Sequence, residues 1–265
     1  MSTLTYATST PSPTANPPAP VPVPFARLAL AEGRKLLDTR AGRGVLLAIL
    51  LVTLGAVTLV LFTTDGTELT WQLLATTAAL PQALLLPVLG ILTATAEWTH
   101  RTGLVTFTLE PRRLRVGAAK LVAVAVVAVL AVGAALALGA VANVVGLLWL
   151  DGNGSWAFDG SLLAGGLAFQ VLGVAQGLAF GAAIGNSAGA IVALLALPQL
   201  WSVLTALVSW LEKVAPWCDL NSAAGPLLSG SLTGVDWARL GTSVAVWILL
   251  PLLIGAYRLV HRELS

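Results

Sequence analysis

Long apolar runs alternate with short polar segments over most of the chain. Six runs carry almost no charge, and each approaches or exceeds the roughly 20 residues that a helix needs to cross the hydrocarbon core of a bilayer. We place the predicted spans at residues 45–62, 71–96, 121–150, 161–185, 191–211 and 242–259. The pattern therefore predicts an all-α integral membrane protein with six transmembrane helices.

The composition agrees with this prediction. Hydrophobic residues make up 57% of the 265-residue chain and charged residues only 10%, whereas soluble domains average about 25% charged residues. The basic residues adjoin apolar spans instead of forming a solvated, aromatic-interleaved face, so we expect no nucleic-acid partner. The bilayer itself is the expected environment.

Residues 97–120, here called the basic loop, separate the second and third spans and fix the predicted orientation. Because basic residues collect on the cytoplasmic side, this loop and both termini are expected in the cytoplasm, and the chain in a bacterial plasma membrane as a multi-pass protein. Only two basic residues, Lys213 and Arg239, fall on the opposite side. That side holds the acidic residues Asp65, Glu68, Asp151, Asp159, Glu212, Asp219 and Asp236.

The first 43 residues divide into two predicted parts. Residues 1–24 are rich in Pro, Ser and Thr and lack charge, which predicts a disordered cytoplasmic tail. Residues 25–43 mix apolar and basic side chains, as in an amphipathic helix lying in the headgroup region. The alternative is a plain positive flank that only orients the first span. Residues 25–265 are expected to form one six-helix domain.

A stripe of small residues marks the fourth span. Glycines recur there at intervals of four residues, interrupted only by Phe169, a spacing that lets another helix approach closely. The predicted helix-packing positions are Gly173, Gly177, Gly181 and Gly185, with Gly165 on the same stripe. Residues 212–240 form the longest outer loop, with room for a short helix but not for a domain.

The chain shows few groups that could perform chemistry. No charged residue lies well inside a predicted span, and there is no HExxH, GxSxG or GxxxxGK[ST] sequence. His100 and His261 are too isolated to suggest a metal site. We therefore expect no enzyme, no cofactor and no metal in this chain. The polar residues within the spans, either bonded between helices or lining a cavity, are Asn143, Gln170, Gln176 and Gln199.

Within the basic loop, Thr102 to Leu109 is expected to form a short helix that Pro111 ends, because proline disfavours a helical residue before it. This helix is the natural docking surface for a cytosolic partner. A plain basic loop resting on anionic lipid headgroups is the alternative.

The order of these segments resembles the ABC-2 type transporter permeases. Glu97, Arg101, Thr102 and Gly103, followed by Pro111, Arg112, Arg113 and Lys120, resemble the family's loop after its second span. The segment with Glu32, Lys35 and Arg40 is similar to the family's amphipathic N-terminal helix. The turn from Gly185 to Ala190 resembles its short connection between the fourth and fifth spans.

The resemblance implies a permease subunit of an ATP-driven exporter of a drug-like molecule, peptide or lipid. It would pair with an identical or homologous permease and with separate P-loop subunits that bind ATP and Mg. The loop helix would be a coupling helix seated on the ATP-binding subunit, with Glu97 and Arg101 paired four residues apart. An immunity or signalling protein that recruits a cytosolic partner through the loop is the alternative. The implied coupling residues are Glu97, Arg101, Thr102, Gly103, Leu109, Pro111, Arg112, Arg113, Lys120, Asn186 and Ser187.

Overall fold

The computed structural model describes residues 23–100 and 102–261, and that part of the chain is helical almost throughout. Residues 1–22 of the predicted tail (1–24), Arg101 and residues 262–265 lie outside the described residues. A 3-10 turn at Gly66–Glu68 precedes α3, and a π-helical turn at Ala245–Leu249 joins the last two helices. The helices are α1 Phe25–Asp38, α2 Arg40–Thr63, α3 Trp71–Thr99, α4 Gly103–Leu109, α5 Arg113–Trp149, α6 Gly160–Ile184, α7 Ser187–Leu207, α8 Ser209–Cys218, α9 Leu220–Ser229, α10 Gly234–Val244 and α11 Leu250–His261.

Six helices of the described chain are long and apolar enough to cross a membrane, which confirms the predicted number of spans. They are α2, α3, α5, α6, α7 and the continuous helix formed by α10, the π-helical turn and α11. The third of them begins at Arg113 instead of residue 121, so the last third of the basic loop is helical. The fifth ends at Leu207 instead of residue 211, because Val208 adopts an extended conformation.

Helices α3 and α6 form the centre of the bundle. In their most apolar windows 50% and 44% of residues are buried, against 22% or less in the other four spans. The two helices approach closely at glycines on their facing surfaces: a Cβ on Gly90 would lie 2.4 Å from the carbonyl oxygen of Val174. Backbone contact of this kind needs residues without side chains, which explains the glycines in α3 and α6.

The segment after α7 is more ordered than the sequence suggested. It forms two ten-residue helices, α8 and α9, where a short helix was predicted. Leu220, Ala224 and Leu227 of α9 are buried in a cluster with α6, and a Cβ on Gly165 of α6 would lie 1.7 Å from the carbonyl oxygen of Leu227. Apolar residues of this segment therefore extend the core.

Helix α1 is separate from the first span, as predicted for an N-terminal helix. Thr39 breaks the chain between them: it is extended, and its Oγ1 accepts a hydrogen bond from Gly42 N at 3.1 Å, which caps α2. The buried residues of α1 are Glu32 and Leu36. The end of the bundle that holds α1, α4, the start of α5, the α6–α7 turn and the end of α11 is called the α4 end below.

Candidate functional site

Four charged side chains meet at the α4 end: Glu32 and Lys35 from α1, Glu97 from α3 and Lys120 from α5. Lys120 Nζ donates to Glu32 Oε2 at 2.9 Å and to Glu97 Oε1 at 2.8 Å. Lys35 Nζ donates to Glu32 Oε1 at 2.6 Å and to Glu97 Oε1 at 3.4 Å. Glu32, Glu97 and Lys120 are buried, and Lys35 is partly exposed. These four residues are called the ion cluster.

Lys120 has no unused donor. An ammonium group donates three hydrogen bonds, and its third is accepted by the carbonyl oxygen of Thr93 at 2.7 Å. Two carboxylates face two ammonium groups, so the cluster has no net charge. A buried pair of this kind is weak evidence of stability in itself, but removal of one member is strongly destabilising. The cluster therefore fastens α1 to α3 and α5.

The charges on the α1 members are maintained by their neighbours. Burial raises the pKa of the Glu32 carboxyl, but Lys120 and Lys35 outweigh burial and hold that pKa below its usual value of 4.5. Burial lowers the pKa of Lys35, but Glu32 and Glu97 outweigh it and hold that pKa above its usual value of 10.5. Both residues are charged at neutral pH, and α1 is held by ionic hydrogen bonds.

Glu97 connects the ion cluster to α4. Its carboxylate bonds to Lys120 and Lys35, and its backbone oxygen accepts from Thr102 N at 3.0 Å. The expected pair with Arg101 lies outside the described residues. Glu97 and Lys120, two of the implied coupling residues, have buried side chains that bond to each other. Their coupling role stays a prediction.

Helix α4 carries the exposed apolar surface of the basic loop. It runs from Gly103 to Leu109, one residue shorter at its start than the predicted helix, with Thr102 as its first flanking residue and Pro111 two residues beyond its end. Leu104, Val105 and Leu109 are 54%, 61% and 72% exposed. A short helix with three exposed apolar side chains, lying in an otherwise polar loop, is suited to contact with another protein or with lipid.

The arginines that follow α4 differ in their surroundings. Arg113 Nη1 donates to the carbonyl oxygen of Leu259 at 2.8 Å, which ties α5 to the end of α11. Arg115 pairs with the buried Glu110 at 2.7 Å and donates to the carbonyl oxygen of Val23. The Arg112 side chain is exposed. Of these three arginines, Arg112 is the one that faces outward beside α4.

The turn between α6 and α7 lies against the same end of α3. Asn186 Oδ1 accepts from Gly189 N at 2.9 Å and caps α7, while the Ser187 and Thr95 hydroxyl groups are 2.7 Å apart. Gly185 has a φ of 73° and ends α6, a conformation that favours glycine. Ser187 is thus engaged within the chain, and Asn186 is exposed.

The predicted glycine stripe faces α3 over part of its length. A Cβ on Gly177 would lie 1.9 Å from the carbonyl oxygen of Pro87, and one on Gly181 would lie 2.8 Å from the Cβ of Ala94. At Gly173 the nearest atom is the Pro87 ring at 3.4 Å, an ordinary contact. Gly177 and Gly181 therefore permit the close α3–α6 approach, whereas Gly185 serves as a helix terminator.

The polar residues within the spans divide between the two roles that the sequence left open. Gln170 Nε2 donates to the carbonyl oxygen of Ala79 at 3.1 Å, and Asn143 Nδ2 donates to that of Ser155 at 3.3 Å. Gln176 and Gln199 instead line a cavity of about 140 Å³ between α3, α6, α7 and α9. Asp219 and Asn221, from the start of α9, add polar groups to the same cavity.

Sequence reasoning missed the partner of Lys120 and two further polar residues. Glu32 is 88 positions away from Lys120, so no local spacing could pair them. The available signal was that acidic Glu32 and Glu97 lay on the side otherwise rich in basic residues. Thr53 and Gln82 were also overlooked, although each is a polar residue inside an apolar span; both are buried.

No protein-family model, curated protein or solved structure matches the chain. The class is therefore defined by the fold itself: the six candidate spans of the described residues indicate a multi-pass membrane protein.

Proposed function

We propose that the chain is the membrane subunit of an ATP-driven exporter of the ABC-2 permease type, in a bacterial plasma membrane with both termini in the cytoplasm. Helix α4 would dock on a separate P-loop subunit that binds ATP and Mg. The observation that supports this most is the exposure of Leu104, Val105 and Leu109 on a short helix between two spans. Exposed apolar groups beside a bilayer are expected to be covered by lipid or by protein.

The attachment of α4 favours a coupling role. The backbone oxygen of Glu97 bonds to Thr102 at the start of α4, and its side chain bonds to Lys120 of α5 and Lys35 of α1. A displacement of α4 would therefore be transmitted to α3, α5 and α1 together. This rigid connection would let a partner that holds α4 move several spans at once.

The polar cavity supports transport over simple recruitment of a partner. Gln176 and Gln199 lie on spans, where polar groups are uncommon, and both line the cavity of about 140 Å³. A protein that only recruited a cytosolic factor would have no need of such groups between its spans. The substrate would pass this cavity, and the exporter would use ATP hydrolysed on its partner, since the chain has no GxxxxGK[ST] sequence.

A second permease, identical or homologous, would cover α7. Its most apolar window is 11% buried, the least of the six spans, and it contributes only Ala190 and Leu194 to the buried residues. A span with so little intrachain packing has most of its surface free for another helix.

The proposal is tested by co-purification with a P-loop ATPase. The triple substitution Leu104→Ser, Val105→Ser and Leu109→Ser should abolish co-purification and the stimulation of ATP hydrolysis, while the chain still inserts in the membrane. Val235→Ser, an exposed apolar position at the opposite end of the bundle, serves as the matched control and should bind normally. Unchanged binding by the triple variant would assign α4 to the lipid surface and refute the docking role.

A further inference from the structure

The polar cavity between α3, α6, α7 and α9 is bordered by interruptions of regular helical structure. Pro87 of α3 and Pro198 of α7 both line it. Trp247 lines it too, and lies in the π-helical turn at Ala245–Leu249. A π-helical turn within an α-helix is often found at a functional site. Three spans therefore depart from regular α-helical structure around one cavity of about 140 Å³.

The two prolines leave backbone acceptors beside this cavity. Proline has no N–H group, so the carbonyl oxygen four residues before it lacks its usual helical donor. That residue is Ala83 for Pro87 and Leu194 for Pro198, and Ala83 and Leu194 also line the cavity. The cavity wall thus contains two carbonyl groups for which a ligand can supply a donor.

Asp219 adds a negative charge to the cavity wall. It precedes α9, and its carboxylate oxygens accept from Asn221 N at 3.0 Å and from the Ser222 hydroxyl group. A carboxylate has about four acceptor positions, so about two remain. Within residues 23–100 and 102–261, Asp219 forms no ion pair and no Lys, Arg or His lines the cavity. The charge of the wall is therefore negative.

The polar side chains of the wall are accessible. Gln199 and Asn221 are exposed, and Gln176 and Asp219 are partly exposed. Each of the three amide groups offers an oxygen acceptor besides its N–H donors. The cavity can therefore offer a ligand one negative charge together with several oxygen acceptors.

These groups match a primary ammonium ion. An ammonium group carries a positive charge and three N–H donors and has no acceptor, so it can bond to Asp219 and to amide or backbone oxygens at once. An anionic group would be repelled by Asp219, and a hydroxyl group would leave the carboxylate without a counter-ion. The volume of about 140 Å³ is below the roughly 300–1,000 Å³ of pockets that enclose a drug-sized ligand. It suits a compact head group.

We propose that this cavity binds the primary ammonium group of an amphipathic amine, with Asp219 as its counter-ion. The apolar part of the amine lies against Leu84 and Leu195, which line the same cavity and are 61% and 46% exposed. The inference names a class of substrate and rests on the transport function proposed above. Its test uses the purified chain without an ATPase, so a failure of amine binding is distinguishable from a failure of α4 to dock.

The test compares phenethylamine, which is protonated at neutral pH, with 2-phenylethanol, a neutral molecule of similar shape. Binding of each to the purified full chain in phosphatidylcholine nanodiscs is measured by equilibrium dialysis, and binding to empty nanodiscs is subtracted. We expect the amine to bind roughly tenfold to hundredfold more tightly, the factor that a hydrogen bond to a charged group supplies. Equal affinity for the two molecules would overturn the proposal.

Removal of charge at two helix starts locates the site. Asn caps a helix about as well as Asp, so Asp219→Asn keeps α9 capped. It should remove the preference for the amine and leave binding of 2-phenylethanol unchanged. Asp159→Asn is the matched control, because Asp159 caps α6 by accepting from Ser161 N at 2.8 Å but does not line the cavity. A preference that survives Asp219→Asn, or that Asp159→Asn removes as well, would refute the role of Asp219.

A substitution that adds charge gives an independent test. Asn221→Asp places a second carboxylate in the first turn of α9, where the helix dipole favours negative charge, so the variant should fold. It should bind phenethylamine more tightly than the unaltered chain and bind 2-phenylethanol equally well, which also shows that it is folded. Amine binding that is unchanged or weaker in this variant would contradict the proposal.

Discussion

The ion cluster and α4 lie at the same end of the bundle, and each departs from the usual rule that charged groups are exposed and apolar groups are buried. The ion cluster buries charge: Glu32, Glu97 and Lys120 are each less than 10% exposed. Helix α4 exposes apolar groups: Leu104, Val105 and Leu109 are all more than half exposed. The charges of the cluster are paired within the chain, whereas the apolar side chains of α4 are not covered by the chain. The comparison indicates that the cluster maintains the structure, and we propose that α4 contacts a partner.

The largest effect should come from breaking the ion cluster. Lys120→Met leaves Glu32 and Glu97 buried with only the half-exposed Lys35 as partner, and loss of one member of a buried pair costs about 3–5 kcal/mol. Thermal unfolding in detergent should show a strongly lowered midpoint. Arg112→Met, an exposed basic residue of the same loop, is the control and should change the midpoint little.

A double substitution separates charge from packing at the cluster. If the loss in Lys120→Met arises from the unpaired carboxylates, adding Glu32→Gln should cost less than the sum of the two single losses, because the residues are in direct contact. Strict additivity would mean that the ionic contacts are unimportant and that Lys120 acts only by filling space.

The second largest effect should come from the α3–α6 contact, which measures what packing alone contributes. Gly177→Ala places a Cβ within 1.9 Å of the Pro87 carbonyl oxygen, so the helices must separate. Overpacking of this kind costs about 1–3 kcal/mol, again visible in thermal unfolding. Gly166→Ala on the same helix meets nothing within 4 Å. If both variants unfold at the same temperature, close α3–α6 packing does not stabilise the bundle.

A smaller effect is expected from acid. The pKa of Glu32 is lower in the folded chain than its usual value of 4.5, so the stability that its charge contributes is present above that value and is lost as the pH falls through the folded pKa. The midpoint temperature of thermal unfolding should therefore decrease when the pH is lowered below 4.5. Other carboxylates contribute to such a fall, so the readout is the difference from Glu32→Gln, whose midpoint should fall less. An identical acid profile in the variant would mean that Glu32 is not ionised in the folded chain.

The smallest effect on stability should come from α4. The triple substitution Leu104→Ser, Val105→Ser and Leu109→Ser changes exposed side chains, and surface changes of this kind usually stay within about 0.5 kcal/mol each. We expect the unfolding midpoint to stay close to that of the unaltered chain, in contrast to Lys120→Met. A large drop would show that α4 packs as part of the core, and the comparison between the two regions would fail.

The local pattern of apolar and charged residues was sufficient to predict most of the helices. The six spans follow from charge-free runs of membrane-spanning length, and the helix at Gly103–Leu109 was expected between Thr102 and Pro111. The start of α5 at Arg113 was missed because the charges of Arg113, Arg115 and Lys120 are typical of a loop. In the structure those charges are satisfied by Leu259, Glu110 and the ion cluster, and no local pattern contains such distant partners.

The functional residues were harder to predict for the same reason. Glu97 and Lys120 were predicted as coupling residues, but their buried surroundings arise from α1, which is brought to α5 only by the tertiary fold. Thr53 and Gln82 look like isolated polar residues in apolar spans. Their burial is a property of the packed bundle.

Cross-linking from α4 tests the docking role most directly. Cys218 is the single cysteine of the chain, so Cys218→Ser provides a background in which Leu104→Cys, Leu109→Cys and, as control, Val235→Cys each carry one photoreactive cross-linker. Helix α4 as a coupling helix predicts adducts with the P-loop ATPase from positions 104 and 109 and none from position 235. An ATPase that co-purifies with the chain but forms no adduct at positions 104 and 109 would contradict it.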